Sequence, residues 1–215
     1  MEKIICTDLP ALFQCIASIM QKNESYLCQL DAEMGDGDLG LTMRRGFSVL
    51  PEAAEALLET ERDVSGLLVK AGMKMAGIAP STMGTLMGSG LMGAGRALSG
   101  RDAIDGDGLA IFYQGFAEGL AKRGKCAPGD RTVLDAVAPA AQRAAACAQR
   151  DLPSVSAAAL AGARAGLEAT KDMPPKFGKA AVFSNKAAGR VDQGAVVGAL
   201  FAEAVAQFCS QQSGV

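Results

Sequence analysis

Between residues 30 and 47 the chain reads LDAEMGDGDLGLTMRRGF, and four acidic residues, Asp31, Glu33, Asp36 and Asp38, fall within eight positions that hold no Lys or Arg. Carboxylates this close repel one another unless a hard cation lies between them, and an all-oxygen donor set selects Mg²⁺, Mn²⁺ or Ca²⁺. Gly35, Gly37 and Gly40 let the backbone turn tightly enough to aim Asp31, Asp36 and Asp38 at one point. An EF-hand does not fit: counted from Asp36, the twelfth position is Phe47, where that loop needs a bidentate Glu. Three carboxylates leave several coordination positions open, the arrangement used when Mg²⁺ is shared with substrate phosphates. The apolar helical stripe that begins at Leu39 adds free backbone N–H groups just past Asp38, which favours an anion there. The competing reading is a solvated Asp/Gly turn whose acids cap the next helix. A second stretch, RGKCAPGDRTVLDAVAPA at 123–140, runs a Pro128-Gly129-Asp130 turn into another helix start. Alone it reads as an ordinary cap.

Composition removes several chemistries. The 215 residues contain no histidine, which excludes Ser-His-Asp catalysis, phosphohistidine relays and His-ligated zinc within this chain. A net charge of −2 and no Lys/Arg cluster argue against nucleic acid and against an anionic membrane surface. The six cysteines form no CxxC pair and read as small core residues in a reducing, cytoplasmic setting. The amino terminus, MEKIICTDLPALF, lacks the marks of a secretory signal, so the mature protein is expected to start near Met1. Residues 75–95 are uncharged for 21 positions, yet 11 of them are Gly, Pro, Ser or Thr, too polar and too easily broken for a membrane span.

The elements that must position the acids read as helix after helix. Leu9, Leu12, Phe13, Ile16 and Ile19 recur at helical spacing, as do Leu39, Met43, Phe47 and Leu50, and Val197, Phe201, Ala204 and Phe208. Asp/Gly clusters and prolines divide the chain into about eight helices, roughly 8–30, 39–58, 64–78, 82–98, 107–123, 131–149, 154–170 and 194–211. This predicts one all-α domain over 1–215, built from antiparallel neighbours with short connections. The long connection, about 171–193, is rich in Lys, Gly and Pro and is a candidate lid. The glycines of 84–95 either admit a ligand closely or serve helix packing.

Together, LDAEMGDGDLGLTMRRGF, GTLMGSGLMGAG, RGKCAPGDRTVLDAVAPA and GRVDQGAV resemble, in order and over nearly the whole chain, the L subunit or equivalent carboxy-terminal domain of the dihydroxyacetone kinases. The resemblance implies an eight-helix up-and-down barrel holding ADP or ATP at one end, with two Mg²⁺ ions bridging Asp31, Asp36 and Asp38 to the phosphates. Leu39, Gly40, Leu41 and Thr42 would lie along the phosphates. Pro80, Ser81, Gly124, Val133, Lys179 and the Asp192-Gln193-Gly194 turn would line the rest of the pocket. It further implies a phosphotransferase subunit acting on dihydroxyacetone or a related short ketose or triose, with the sugar on a separate K-type subunit. The phosphoryl donor would be ATP or a phosphotransferase-system protein that rephosphorylates bound ADP. Where the family pattern reads GDGDHGxNM, this chain has Leu39 and Thr42. Where GGxSG is usual it has Pro80-Ser81-Thr82-Met83-Gly84, and Gln193 replaces the proline of DPG. These departures favour a second reading, a non-catalytic nucleotide-binding module that regulates a partner, while the intact aspartates oppose it.

Overall fold

The computed structural model describes residues 2–177, 181 and 187–211. These residues form ten α-helices: α1 (Leu9–Lys22), α2 (Glu24–Ala32), α3 (Leu39–Ser48), α4 (Leu50–Leu57), α5 (Val64–Ile78), α6 (Thr82–Ala97), α7 (Gly106–Gly124), α8 (Leu134–Ala146), α9 (Leu152–Ala169) and α10 (Gln193–Gln211). The count exceeds the expected eight because two expected helices are each broken once. Asn23 ends α1 by donating both its backbone N–H and its side-chain amide to the Ile19 carbonyl. Val49 separates α3 from α4, where Pro51 enters the first turn without an N–H to continue the ladder. The uncharged stretch 75–95 is the end of α5, a turn at Ala79–Ser81 and most of α6. Among the described residues no helix is long and apolar enough to cross a membrane.

The helices close into a ring. α1 packs on α3 and α4, each helix from α4 to α10 packs on its successor, α10 returns to α1, and α2 lies on α3. Glycines set both the distance and the direction of these contacts. A Cβ on Gly72 of α5 would come within 2.5 Å of the Gly88 carbonyl of α6, and one on Gly115 of α7 within 2.7 Å of the Gly93 carbonyl. Further along, Gly95 of α6 meets Ser65 and Val69 of α5, and Gly119 of α7 meets Ser89 and Gly90, so these neighbours run antiparallel. The glycines of 84–95 therefore serve packing, and none lines the cleft described below. Phe47, Phe112, Tyr113, Phe116 and Phe201 fill the barrel, with the Phe116 and Phe201 rings 4.7 Å apart. Burying each such ring contributes roughly 1.5–3 kcal/mol.

An up-and-down ring has a simple consequence: every second helix starts at the same end. α1, α5, α7 and α9 start at one end, which a short ladder of Ile4–Ile5 with Ala103–Ile104 also ties together. There Asp63, Asp105 and Asp151 accept from the amides of Gly66, Gly108 and Ser154 at 2.7–2.8 Å, capping α5, α7 and α9. α3, α6, α8 and α10 start at the other end, around the acidic loop.

Candidate functional site

The starts of α3, α6, α8 and α10 surround a cleft of about 550 Å³. Four helices of 10 to 19 residues thus bring their positive dipole ends to one place. Asp31, Asp36 and Asp38 form one side of it, each offering a carboxylate oxygen within 4.8 Å of the others.

The loop that holds these acids is built around Asp31, the penultimate residue of α2. Its carboxylate accepts from the Gly37 amide at 2.9 Å and the Asp38 amide at 3.2 Å, folding 31–38 back on itself. Gly37 turns with φ +77°, in the left-handed region. At Gly35 a Cβ would lie 2.8 Å from both the Asp31 Cγ and its carbonyl oxygen, so only glycine fits beside the acid. Burial raises the Asp31 pKa and the neighbouring Asp36 charge adds to it, while the loop amides oppose the rise. Asp38 occupies the N-cap position of α3, yet its side chain accepts no capping hydrogen bond. The capping account of this loop therefore fails at Asp38.

The opposite wall comes from the 130–135 turn and the start of α10. Asp135 accepts from the Gly129 amide at 2.5 Å and the Thr132 amide at 2.7 Å, and Asp130 accepts from Ala127 at 2.7 Å. Lys176, 2.5 Å from the Asp130 carboxylate, holds that acid below its usual pKa. Arg131 is 3% exposed and adopts φ +61°. Asp192 caps α10 by accepting from the Ala195 amide at 2.8 Å, and burial pushes its pKa up to about 6 against the pull of Ala195 and Arg131. Ser81 caps α6 through the Gly84 amide at 3.0 Å.

Eleven of the residues expected at the site line this cleft: Asp31, Asp36, Asp38, Leu39, Thr42, Pro80, Ser81, Val133, Asp192, Gln193 and Gly194. Gly40, Leu41 and Gly124 do not line it. Gly40 is pressed against the Glu24 carbonyl of α2, Leu41 is 47% exposed on the far side of α3, and Gly124 lies against Cys126 and Leu86 at the end of α7. Lys179 lies outside the described residues. Gly35, expected to turn the acidic loop, also lines the cleft, as do Arg131, Thr132, Thr82, Met83, Leu86 and Phe177, which were not expected there. Thr132 and Thr82 directly adjoin expected residues in sequence, a signal that was available. Among the described lining residues Arg131 is the single Lys or Arg, set against four aspartates. Two buried side-chain atoms on lining residues, Arg131 Nε and Gln193 Oε1, have no hydrogen-bond partner.

Comparison with known proteins places the molecule among relatives. The DAK2 domain family model matches residues 33–207. The chain is 32% identical over 128 residues to the PEP-dependent dihydroxyacetone kinase 2 ADP-binding subunit DhaL of Listeria innocua serovar 6a, covering 60% of this chain and 59% of that protein. It is 33% identical over 121 residues to the corresponding subunit of Escherichia coli strain K12, covering 56% of this chain and 57% of that one. An L-erythrulose kinase of Pectobacterium atrosepticum matches 91% of the chain at 30% identity, over 33% of its own length. The chain thus spans under three fifths of the length of the first two relatives. In solved structures the same fold occurs in the dihydroxyacetone kinase of C. freundii in complex with AMP-PNP and Mg²⁺, with a TM-score of 0.69, 23% identity, 93% of this chain covered and 33% of that one.

Proposed function

Because this chain belongs to the DAK2 domain family, we propose that it is the nucleotide-binding subunit of a dihydroxyacetone-type kinase, holding Mg·ADP or Mg·ATP in the cleft at the starts of α3, α6, α8 and α10. The observation that carries this reading is the uncapped Asp38 beside Asp31 and Asp36 under four converging helix ends. Carboxylates and helix N-termini attract opposite charges, and a metal-bound polyphosphate satisfies both at once. Asp31, Asp36 and Asp38 would hold Mg²⁺, in a loop already turned by the Gly37 and Asp38 amides. Bound there, Mg²⁺ supplies charge neutralisation for the transferring phosphoryl group. Leu39 and Thr42 would flank the phosphates, and Pro80, Ser81, Met83 and Val133 would wall the remainder of the nucleotide. The orphaned Gln193 Oε1 offers an acceptor to it.

Catalysis on this reading is positioning and electrostatics, because phosphoryl transfer asks little covalent chemistry of the protein. With no histidine to hold a ketone, the chain works with a K-type subunit that presents dihydroxyacetone or a related short ketose such as erythrulose. The relatives named as PEP-dependent ADP-binding subunits, with one of Lactococcus lactis named as PTS-dependent, support bound ADP recharged by a phosphotransferase-system protein as one donor. Titration of the purified protein with ADP, with and without Mg²⁺, tests the site: binding that needs Mg²⁺ is expected, and Mg²⁺-independent or absent binding would overturn it. Adding a K-type subunit with ATP, or with a phosphotransferase donor, tests the reaction. Nucleotide binding without transfer under either condition would favour the regulatory module suggested by Leu39, Pro80 and Gln193.

A further inference from the structure

Among the described residues, one side chain makes three hydrogen bonds to the connection between α9 and α10. Arg131 donates from Nη2 to the Ala187 carbonyl at 2.8 Å and the Arg190 carbonyl at 2.9 Å, and from Nη1 to the Met173 carbonyl at 3.4 Å. Met173 stands at the start of the connection and Ala187 and Arg190 near its end. A single guanidinium therefore ties both flanks to the turn that begins α8. Nearby contacts repeat the pattern: the Lys176 amide donates to the Asp130 carbonyl at 3.3 Å and the Gly189 amide to the Lys171 carbonyl at 3.1 Å. Arg190 pairs with Glu33 at the end of α2, two residues past Asp31.

We infer that Arg131 is a positioning residue for the nucleotide cleft, fixing both described flanks of the 173–190 connection so that Phe177 stands in the cleft wall. Three features carry this. The side chain is buried at the cleft wall, it holds three backbone carbonyls, and its backbone adopts the left-handed conformation. Its hydrogen bonds go to neutral carbonyls, and its charge, that of the single Lys or Arg among the described lining residues, acts on the buried Asp192 carboxylate in the same cleft. A lysine would keep the charge but, as a point donor, could not span carbonyls on both flanks. The inference rests on the nucleotide reading of the cleft for its functional half and on hydrogen bonding alone for its structural half.

Arg131→Lys and Arg131→Met separate tether from charge, read in the full chain by amide hydrogen exchange at Lys176 and Gly189 and by release of fluorescent Mg·ADP. If Arg131 positions the flanks, both variants lose protection at these amides by about tenfold or more and release nucleotide about tenfold faster, while the association rate of Arg131→Lys stays within about twofold of wild type. Arg131→Lys indistinguishable from wild type in both readouts would overturn the tether. Lost protection with an unchanged release rate would overturn its role at the cleft. Should the wild-type protein bind no Mg·ADP, the nucleotide reading and with it the functional half fail, and exchange at Lys176 and Gly189 still decides the tether. If Arg131→Met does not fold, Arg131→Lys with circular dichroism as a control is read by the same criteria.

Discussion

The starts of α5, α7 and α9 at one end of the barrel and the start of α3 at the other use the same residue in opposite ways. At the end where α5, α7 and α9 start, Asp63, Asp105 and Asp151 each spend their carboxylate on an amide of the first turn. At the other end Asp38 sits at the same position of α3 and leaves that amide alone, and Asp31 turns its carboxylate to its own loop. Aspartate at a helix start is stabilising by default, because it accepts an orphan N–H and faces a positive dipole end. Where that use is declined, and two further acids are gathered beside the one that declines it, the local stability forgone points to a ligand. The first is the folding end and the second, where Asp192 still caps α10, is the proposed binding end.

The sharpest way to break this contrast is to neutralise the acids. Asp36→Asn and Asp38→Asn are each expected to weaken Mg·ADP binding by more than about 100-fold while moving stability by less than about 0.5 kcal/mol, measured by calorimetry and thermal melts. Unchanged binding in both variants would erase the distinction between the ends. Asp192 tests whether the binding end tolerates strain. Its folded pKa of about 6 lies above the unfolded value of 3.8, so its stabilising contribution is complete below about pH 4 and is lost as the pH rises through 6. Asn at 192 keeps an acceptor for the Ala195 amide. Asp192→Asn is therefore expected to melt above wild type at pH 7.5, by up to about 3 kcal/mol, with the gap closing toward pH 4.

Restoring the family pattern sharpens the comparison from the other side. Leu39→His with Pro80→Gly adds a side-chain donor and a backbone N–H at the starts of α3 and α6, and is expected to tighten Mg·ADP binding roughly 10-fold or more. The wild-type protein is correspondingly expected to purify largely free of ADP, which mass spectrometry of the released ligand would check. The smallest effect belongs to the folding end: Asp63→Ala and Asp105→Ala should each cost about 1 kcal/mol, or about 2–4 °C in Tm, and leave nucleotide binding unchanged.

Periodicity and turn chemistry were enough to locate most of the helices. α5, with an Asp cap before it and Ala79-Pro80-Ser81 after it, agrees with its expected bounds at both ends. The break at Asn23 escaped because Lys-Asn-Glu carries no Gly or Pro, and the break at Val49 because Pro51 falls where a first-turn proline and an interior kink look alike. The acidic loop was legible because its geometry is local: Asp31 to Asp38 is closed by its own amides. Arg131 was not, because its acceptors lie 42 to 59 residues away along the chain. Leu41 lies off the cleft lining for a simpler reason. On a helix that begins at Leu39, positions 39 and 42 share a face and 41 points elsewhere.

The ring has one seam. Every helix from α4 onward packs on its neighbour in sequence, and among the described residues the ring closes where α10 meets α1, its two members furthest apart along the chain. Contacts between sequence neighbours form early because little loop entropy opposes them, and the seam, with the greatest separation, is expected to close late. The cleft takes one wall from α2 and α3 and another from α10, so it straddles that seam and is whole only once the ring has shut. A nucleotide that prefers the completed cleft would then act as a clasp on the last step of folding, slowing the opening of the seam while leaving the early hairpins of α5, α6 and α7 to form at their own rate.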